Sequence, residues 1–239
     1  MPTTHTPSAP RRSPWEDAIG HRRVSLRPVS SLEHLLAVLG PSTCGLCDTP
    51  VPSPTSALCP TCEETALLRI QRLSFGEVYS CFEHRELARR AVTGLKYRQE
   101  RWRGFQLAQY AALQWFAQEQ RTIRAHDLLV PIPLHPQRVR QRGFNQALVI
   151  ARGIQQRIPL RVDATALVRR DAPLRDQKSL GRQDRLAQKD RFVGAKRLAG
   201  RRVWLVDDVI TTGATLEDAA SAVRDAGGTP IGGITLNWR

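Results

Sequence analysis

Val203 to Thr215 reads VWLVDDVITTGAT and opens directly onto a helical pattern. Val203, Trp204, Leu205 and Val206 form a short apolar run after two arginines, as expected of a strand buried on both faces of a parallel sheet. The adjacent carboxylates Asp207 and Asp208 cap that run. Gly213 then permits a tight turn among three threonines. Beyond it Leu216, Ala219, Ala220, Val223 and Ala226 recur at helical spacing, with Thr215 as the expected N-cap and Gly227 as the expected stop. Strand, acid pair, hydroxyl-rich loop and helix N-terminus together make a cradle for a phosphate monoester, because backbone N–H groups and the helix dipole face the anion. The two carboxylates just upstream suit the vicinal hydroxyls of a sugar. The plain alternative is a strand-to-helix turn carrying two solvated acids.

The whole string resembles, without a gap, the phosphoribosyl-pyrophosphate (PRPP) motif of type I phosphoribosyltransferases. That resemblance implies that Asp207 and Asp208 hold the ribose 2′ and 3′ hydroxyls. It implies that Thr211, Thr212, Gly213, Ala214 and Thr215 hold the 5′-phosphate.

The other informative stretches lie upstream. Asp127 to Pro133 (DLLVPIP) reads as a buried strand ended sharply by two prolines, followed from about Gln137 by a helix carrying Arg138, Arg140, Arg142, Gly143 and Phe144 through Gln146 and on to Ile150. A strand ending in such a turn is a second anion site, whose guanidinium forks match diphosphate oxygens; Pro133, Leu134 and Arg142 are its candidates. Eighteen Lys and Arg stand against five Asp between Arg138 and Arg202, so the excess behind the formal net charge of +14 is concentrated there. That stretch attracts polyanions, whether diphosphate or nucleic acid. Its segment from Arg170 to Arg191 is polar, with little apolar anchorage, and reads as a loop able to close over a ligand or as a plain connector.

Four of the five cysteines form two CxxC pairs, Cys44 with Cys47 and Cys59 with Cys62, separated by eleven residues. Two such knuckles supply a tetrahedral thiolate shell, so a structural zinc ion is expected, with no open position for catalysis. A ribbon this short has too little core to fold alone, and the metal supplies most of its stability. Cys81 stands apart and reads as a small buried hydrophobe. No apolar run approaches the ~20 residues of a membrane span, and no signal-type apolar region follows Met1, so a cytoplasmic chain is expected.

The rest divides into a Pro- and Arg-rich tail over residues 1–30, a helix with Leu32, Leu35, Leu36 and Leu39 on one face plus the ribbon over 31–66, and a main domain over 67–239. From the end of the ribbon onward the patterns predict a helix over Glu63 to Leu73, a strand at Phe75 to Tyr79, and a helix through Leu87, Ala91 and Leu95 into Lys96 and Tyr97. A further helix is expected over Phe105 to Phe116, a strand over Arg161 to Val168, and an edge-to-core strand over Thr229 to Leu236. Lys96 and Tyr97 are either surface residues or the acceptor side of the site.

Several landmarks share an order and spacing with the ComF family (ComFC and GntX-like proteins). They are the leucine helix before CxxC, the second CxxC, Lys96-Tyr97, Pro131-Ile132-Pro133-Leu134, Arg142 to Gln146, Gln177 with Leu180 and Arg185, and the PRPP motif. The resemblance implies a Rossmann-like, mostly parallel α/β phosphoribosyltransferase fold with an N-terminal zinc ribbon, PRPP as ligand with Mg2+, and Gln177 and Arg185 in a loop over the site. It also implies a part in natural transformation, acting in the cytoplasm on incoming single-stranded DNA beside helicase-type and DNA-processing competence proteins. Two other readings stay open: a non-enzymatic adaptor for single-stranded nucleic acid, with Trp102, Phe105 and Phe144 as stacking platforms, and a regulator that senses PRPP.

Overall fold

The computed structural model describes residues 24–27, 43–51, 56–83, 86–97, 100–120, 122–170, 191–194 and 198–239. The leucine face at 31–39, Gln177, Arg185 and nearly all of the basic loop lie outside these residues. Tyr97 is described by its backbone alone.

Strand β7 (Arg202–Ile210) decides the architecture. Its residues alternate between two cores: Trp204 and Val206 pack on one face of the sheet, Val203 and Leu205 on the other. All four are at most 1% exposed, which is why the run carries no polar residue. The strand continues through Asp207 and Asp208, so the acids lie inside it where the sequence pattern has them cap it. Six strands form one sheet in the order β1 (Arg69–Leu73), β2 (Gly76–Glu83), β8 (Thr229–Trp238), β7, β3 (Leu128–Pro131) and β4 (Arg161–Val162). Only β1 and β2 pair antiparallel; the remaining neighbours are parallel. This is the Rossmann-like, mostly parallel sheet of a phosphoribosyltransferase-type fold.

One face of the sheet is covered by α2 (Glu86–Tyr97), α3 (Arg101–Glu119) and α5 (Gln146–Arg157). Leu95, Leu107, Trp115, Ile150 and Ile154 close that core against Tyr79 and Trp204, each burial stabilising by about 2 kcal/mol. The other face is covered by α6 (Ala214–Asp225) through Leu216, Ala219, Ala220 and Val223. At the foot of the sheet the fully buried Asp127 accepts from Trp204 Nε1 (3.1 Å) and Arg202 Nε (2.8 Å), so its charge is paired.

The structure corrects several expectations. Glu63 to Leu73 is not one helix: α1 (Pro60–Glu64) ends at Thr65 and edge strand β1 follows. Leu67 and Ile70 are 65% and 46% exposed, so the spacing that suggested a helical face has no buried side behind it. Arg161 to Val168 is cut in two, because Asp163 Oδ1 accepts from Thr165 N (3.0 Å) and Oγ1 (2.8 Å) and turns the chain. After the turn β5 (Leu167–Arg169) pairs antiparallel with β6 (Phe192–Gly194) in a separate two-stranded sheet. The arginine-headed helix is two helices, α4 (Pro136–Arg142) and α5, broken where Gly143 adopts φ 77°. Strand β8 is internal, between β2 and β7, and carries no edge. Of the expected tail, residues 24–27 are described: Val24 is buried in the main core, the next three are exposed, and Arg27 N donates to Arg157 O at 2.7 Å.

Candidate functional site

Strands β3 and β7 lie side by side, and the chain leaves them in opposite directions, towards β4 and towards β8. A crevice opens at such a reversal, beyond the carboxyl ends of the two strands. Pro131 pairs with Val206, and Ile132 N donates to Val206 O at 2.9 Å. Pro133 and Leu134 therefore leave the sheet next to Asp207 and Asp208. Asn145 fixes this corner from behind: its Nδ2 donates to Ile132 O (2.9 Å) while its Oδ1 accepts from Ala147 N (3.0 Å) and caps α5. Arg142 ends α4 and donates from Nη1 to Gln146 Oε1 at 3.1 Å.

Asp208 Oδ2 lies 2.8 Å from Lys96 Nζ, and both side chains are largely covered, at 14% and 22% exposure. The Asp207 carboxyl is pushed up to about 7 by burial and by the charge of Asp208, with Lys96 pulling the other way. Asp207 Oδ1 also accepts from Asp208 N at 2.8 Å.

Past Ile210 the chain turns at Gly213, whose φ of 82° is left-handed. A Cβ there would stand 2.8 Å from Leu73 Cδ2 as well, so the position favours glycine twice over. Gly213 is the N-cap and α6 starts at Ala214, which places the expected cap Thr215 inside the first turn. Thr212 Oγ1 accepts from Ala214 N at 3.4 Å. Asp207, Val209, Ile210 and the loop 211–216 line a small, open concavity. The structure thus brings together Asp207, Asp208, Lys96, the hydroxyl loop and the Pro133-Leu134 turn.

Sequence reasoning missed one support of the loop. Arg191 Nη2 donates to Ala214 O (3.1 Å), and its Nε donates to Asp218 Oδ2 (2.8 Å). Nothing in the sequence pairs these residues except opposite charge. Cys81 is buried and its thiol is pushed up to about 12, consistent with an inert packing residue.

The second cluster is the ribbon. Sγ atoms of Cys44, Cys47, Cys59 and Cys62 all lie within 4.8 Å of one another. Cys47 and Cys59 sulfurs are 3.6 Å apart, close to the separation of about 3.8 Å that Zn–S bonds of about 2.3 Å impose in a tetrahedron. Leu46 N donates to Cys44 Sγ at 3.4 Å. Burial opposes ionisation of Cys47, but hydrogen bonds with Thr49 and the neighbouring thiols outweigh it and bring the thiol down to about 6; burial pushes Cys44 and Cys62 up. The donor set fits a closed four-thiolate shell for a metal such as zinc. Arg103 fastens the ribbon to α3: Nη1 donates to Gly45 O (3.1 Å) and Nη2 pairs with Asp48 Oδ1 (2.5 Å), while Nε lies 2.8 Å from Glu100 Oε2.

No family model matches the chain. It is 31% identical over 109 residues to a protein named Competence protein F from Haemophilus influenzae, covering 44% of this chain and 47% of that protein. It is 35% identical over 103 residues to Competence protein ComFC from Bacillus subtilis, covering 43% of this chain and 40% of that one. The chain is thus similar to ComF-type competence proteins over a little under half of its length. The chain spans less than half the length of those two curated relatives. It is also 54% identical over 41 residues to an orotate phosphoribosyltransferase of Xanthomonas axonopodis pv. citri, covering 17% of this chain and 18% of that enzyme. Among the described residues no helix is long and apolar enough to cross a membrane.

Proposed function

We propose that the pocket at the end of β7 binds PRPP with Mg2+, and that the protein serves DNA uptake as a phosphoribosyltransferase-like member of the ComF family. One observation carries the reading: Asp207 lines the same concavity as the loop 211–215, at the crevice where β3 and β7 part. In this reading Asp207 and Asp208 accept hydrogen bonds from the ribose hydroxyls, and the N–H groups of the first turn of α6 donate to the 5′-phosphate. Pro133, Leu134 and Arg142 face the diphosphate and Lys96 stands on the acceptor side; Gln177 and Arg185 lie outside the described residues. Bound Mg2+ neutralises the diphosphate.

The reaction this arrangement serves is displacement at the sugar C1. The C1–O bond to diphosphate breaks, a bond from C1 to an acceptor nitrogen forms, and the acceptor gives up a proton. Such chemistry needs positioning and charge stabilisation more than a covalent partner from the protein. Isothermal titration with PRPP and Mg2+ tests it: binding is expected in the intact chain and absent in Asp207→Asn/Asp208→Asn. Retained binding in that double variant overturns the reading. Diphosphate release across candidate bases and DNA then separates a transferase from a PRPP sensor.

A second reading, a single-stranded DNA adaptor, is favoured by aromatic rings that lie under arginines. Trp102 is 40% exposed with Arg103 5.1 Å from its ring centroid, and Arg101 lies 4.4 Å from that of Phe144. Such a surface binds single strands with a steep negative log–log dependence on salt; a flat dependence removes this reading.

A further inference from the structure

The acid pair carries its own cation. Asp207 lines the polar pocket and Asp208 adjoins it in the strand; neighbouring carboxylates are a donor set that attracts a divalent metal. Here Lys96 Nζ already lies 2.8 Å from one of them, with the ammonium largely covered. The fold holds it there from both ends of α2. Near the start of that helix, Ala88 O accepts from Asn237 Nδ2 at 3.0 Å, which ties α2 to the last residues of β8. Near its end, Glu100 packs where a side chain on Gly94 would stand, and Glu100 N donates to Gly94 O at 3.4 Å. Leu95, the neighbour of Lys96, is buried in the main core, so the ammonium is delivered by an anchored turn.

We propose that Lys96 sets the ligand class of the acid pair: it keeps Asp207 and Asp208 a site for sugar hydroxyls and bars a free divalent cation from them. A carboxylate offers about four lone-pair positions and the ammonium occupies one, so hydroxyl donors still find acceptors. A metal ion instead needs the anionic charge itself, and meets an ammonium at contact distance. The inference rests on the sugar-binding reading of the pocket.

The test is a Mn2+ titration of the full, zinc-loaded chain followed by electron paramagnetic resonance, on wild type, Lys96→Met and Lys96→Arg. Lys96→Met keeps the alkyl stem and loses the charge; Lys96→Gln replaces it if circular dichroism finds the Met variant unfolded. The neutral variant is expected to bind Mn2+ about tenfold more tightly than wild type, or better, while Lys96→Arg behaves as wild type. Ribose 5-phosphate displaces the bound Mn2+, and adding Asp208→Asn abolishes it. Mn2+ binding that is equal in wild type and the neutral variant, or that survives Asp208→Asn, overturns the proposal. Wild type that fails to bind ribose 5-phosphate without added divalent ions overturns the sugar-site reading instead, and with it the assignment of the acid pair to hydroxyl ligands.

Discussion

The molecule places two clusters of ionisable side chains on one scaffold and treats their charge in opposite ways. In the ribbon, four sulfurs gather within 4.8 Å, with Leu46 N donating to Cys44 Sγ and Cys47 Sγ donating to Thr49 Oγ1. At the end of β7, Asp208 has the Lys96 ammonium 2.8 Å away, and its neighbour Asp207 lines a polar concavity. The first is a donor set that an external cation can complete; the second carries its counter-charge from Lys96. A chain builds the first kind for stability and the second for reversible binding.

Cation removal is where the two should differ most. Stripping metal from the chain with a chelator is expected to lower the melting temperature by about 10 °C or more, through loss of the ribbon. Withdrawing Mg2+ alone is expected to leave the melting curve of the ligand-free protein in place. A chelator-insensitive melt would erase the contrast.

A smaller effect reports how the ribbon leans on the main domain. Arg103 is 7% exposed and pairs with Asp48 and Glu100, so Arg103→Ala should cost about 3 kcal/mol in urea unfolding and speed zinc loss. Asp48 is 55% exposed, and Asp48→Ala should cost less than about 1 kcal/mol. Equal costs would mean that the buried guanidinium is not the anchor.

The smallest effect sharpens the acid pair. Asp207 is raised to about 7 from an ordinary carboxyl value of 3.8, so between those values the folded chain holds a proton that the unfolded chain has lost. Its stabilising contribution is present in full below the lower value, falls as pH rises through the window, and is gone above the upper one. Urea melts at about pH 5 and about pH 8 should give a larger decline for wild type than for Asp207→Asn. Identical declines would place the proton elsewhere.

The contrast also explains what could be read from the chain alone. Strand β7, the acid pair and the hydroxyl loop were legible because they are contiguous, and burial on both faces leaves a strand no polar residue to blur it. The four cysteines were legible for a similar reason: two short knuckles each bring a pair to one side. Lys96 with Asp208, and Arg191 with Asp218, were not, because only the packing of α2 and the β5–β6 ribbon brings them into contact. Edge strand β1 reads as helix because its exposed apolar residues carry no imprint of a core. Gly143 is visible as a residue, but its left-handed turn is not, so two helices read as one.

The cysteine ribbon is not a detachable tag. Leu46, Leu58, Cys59 and Cys62 share one apolar cluster with Leu107 and Ala111 of α3, and Gly45 approaches Leu107 so closely that a Cβ would stand 2.9 Å from it. Starting the chain at residue 67 would uncover Leu107 where Gly45 packs and leave Arg103 with Glu100 alone of its three anchors. Anyone trimming the protein towards the pocket at the end of β7 would be cutting into the support of α3, the helix against which α2, the carrier of Lys96, packs.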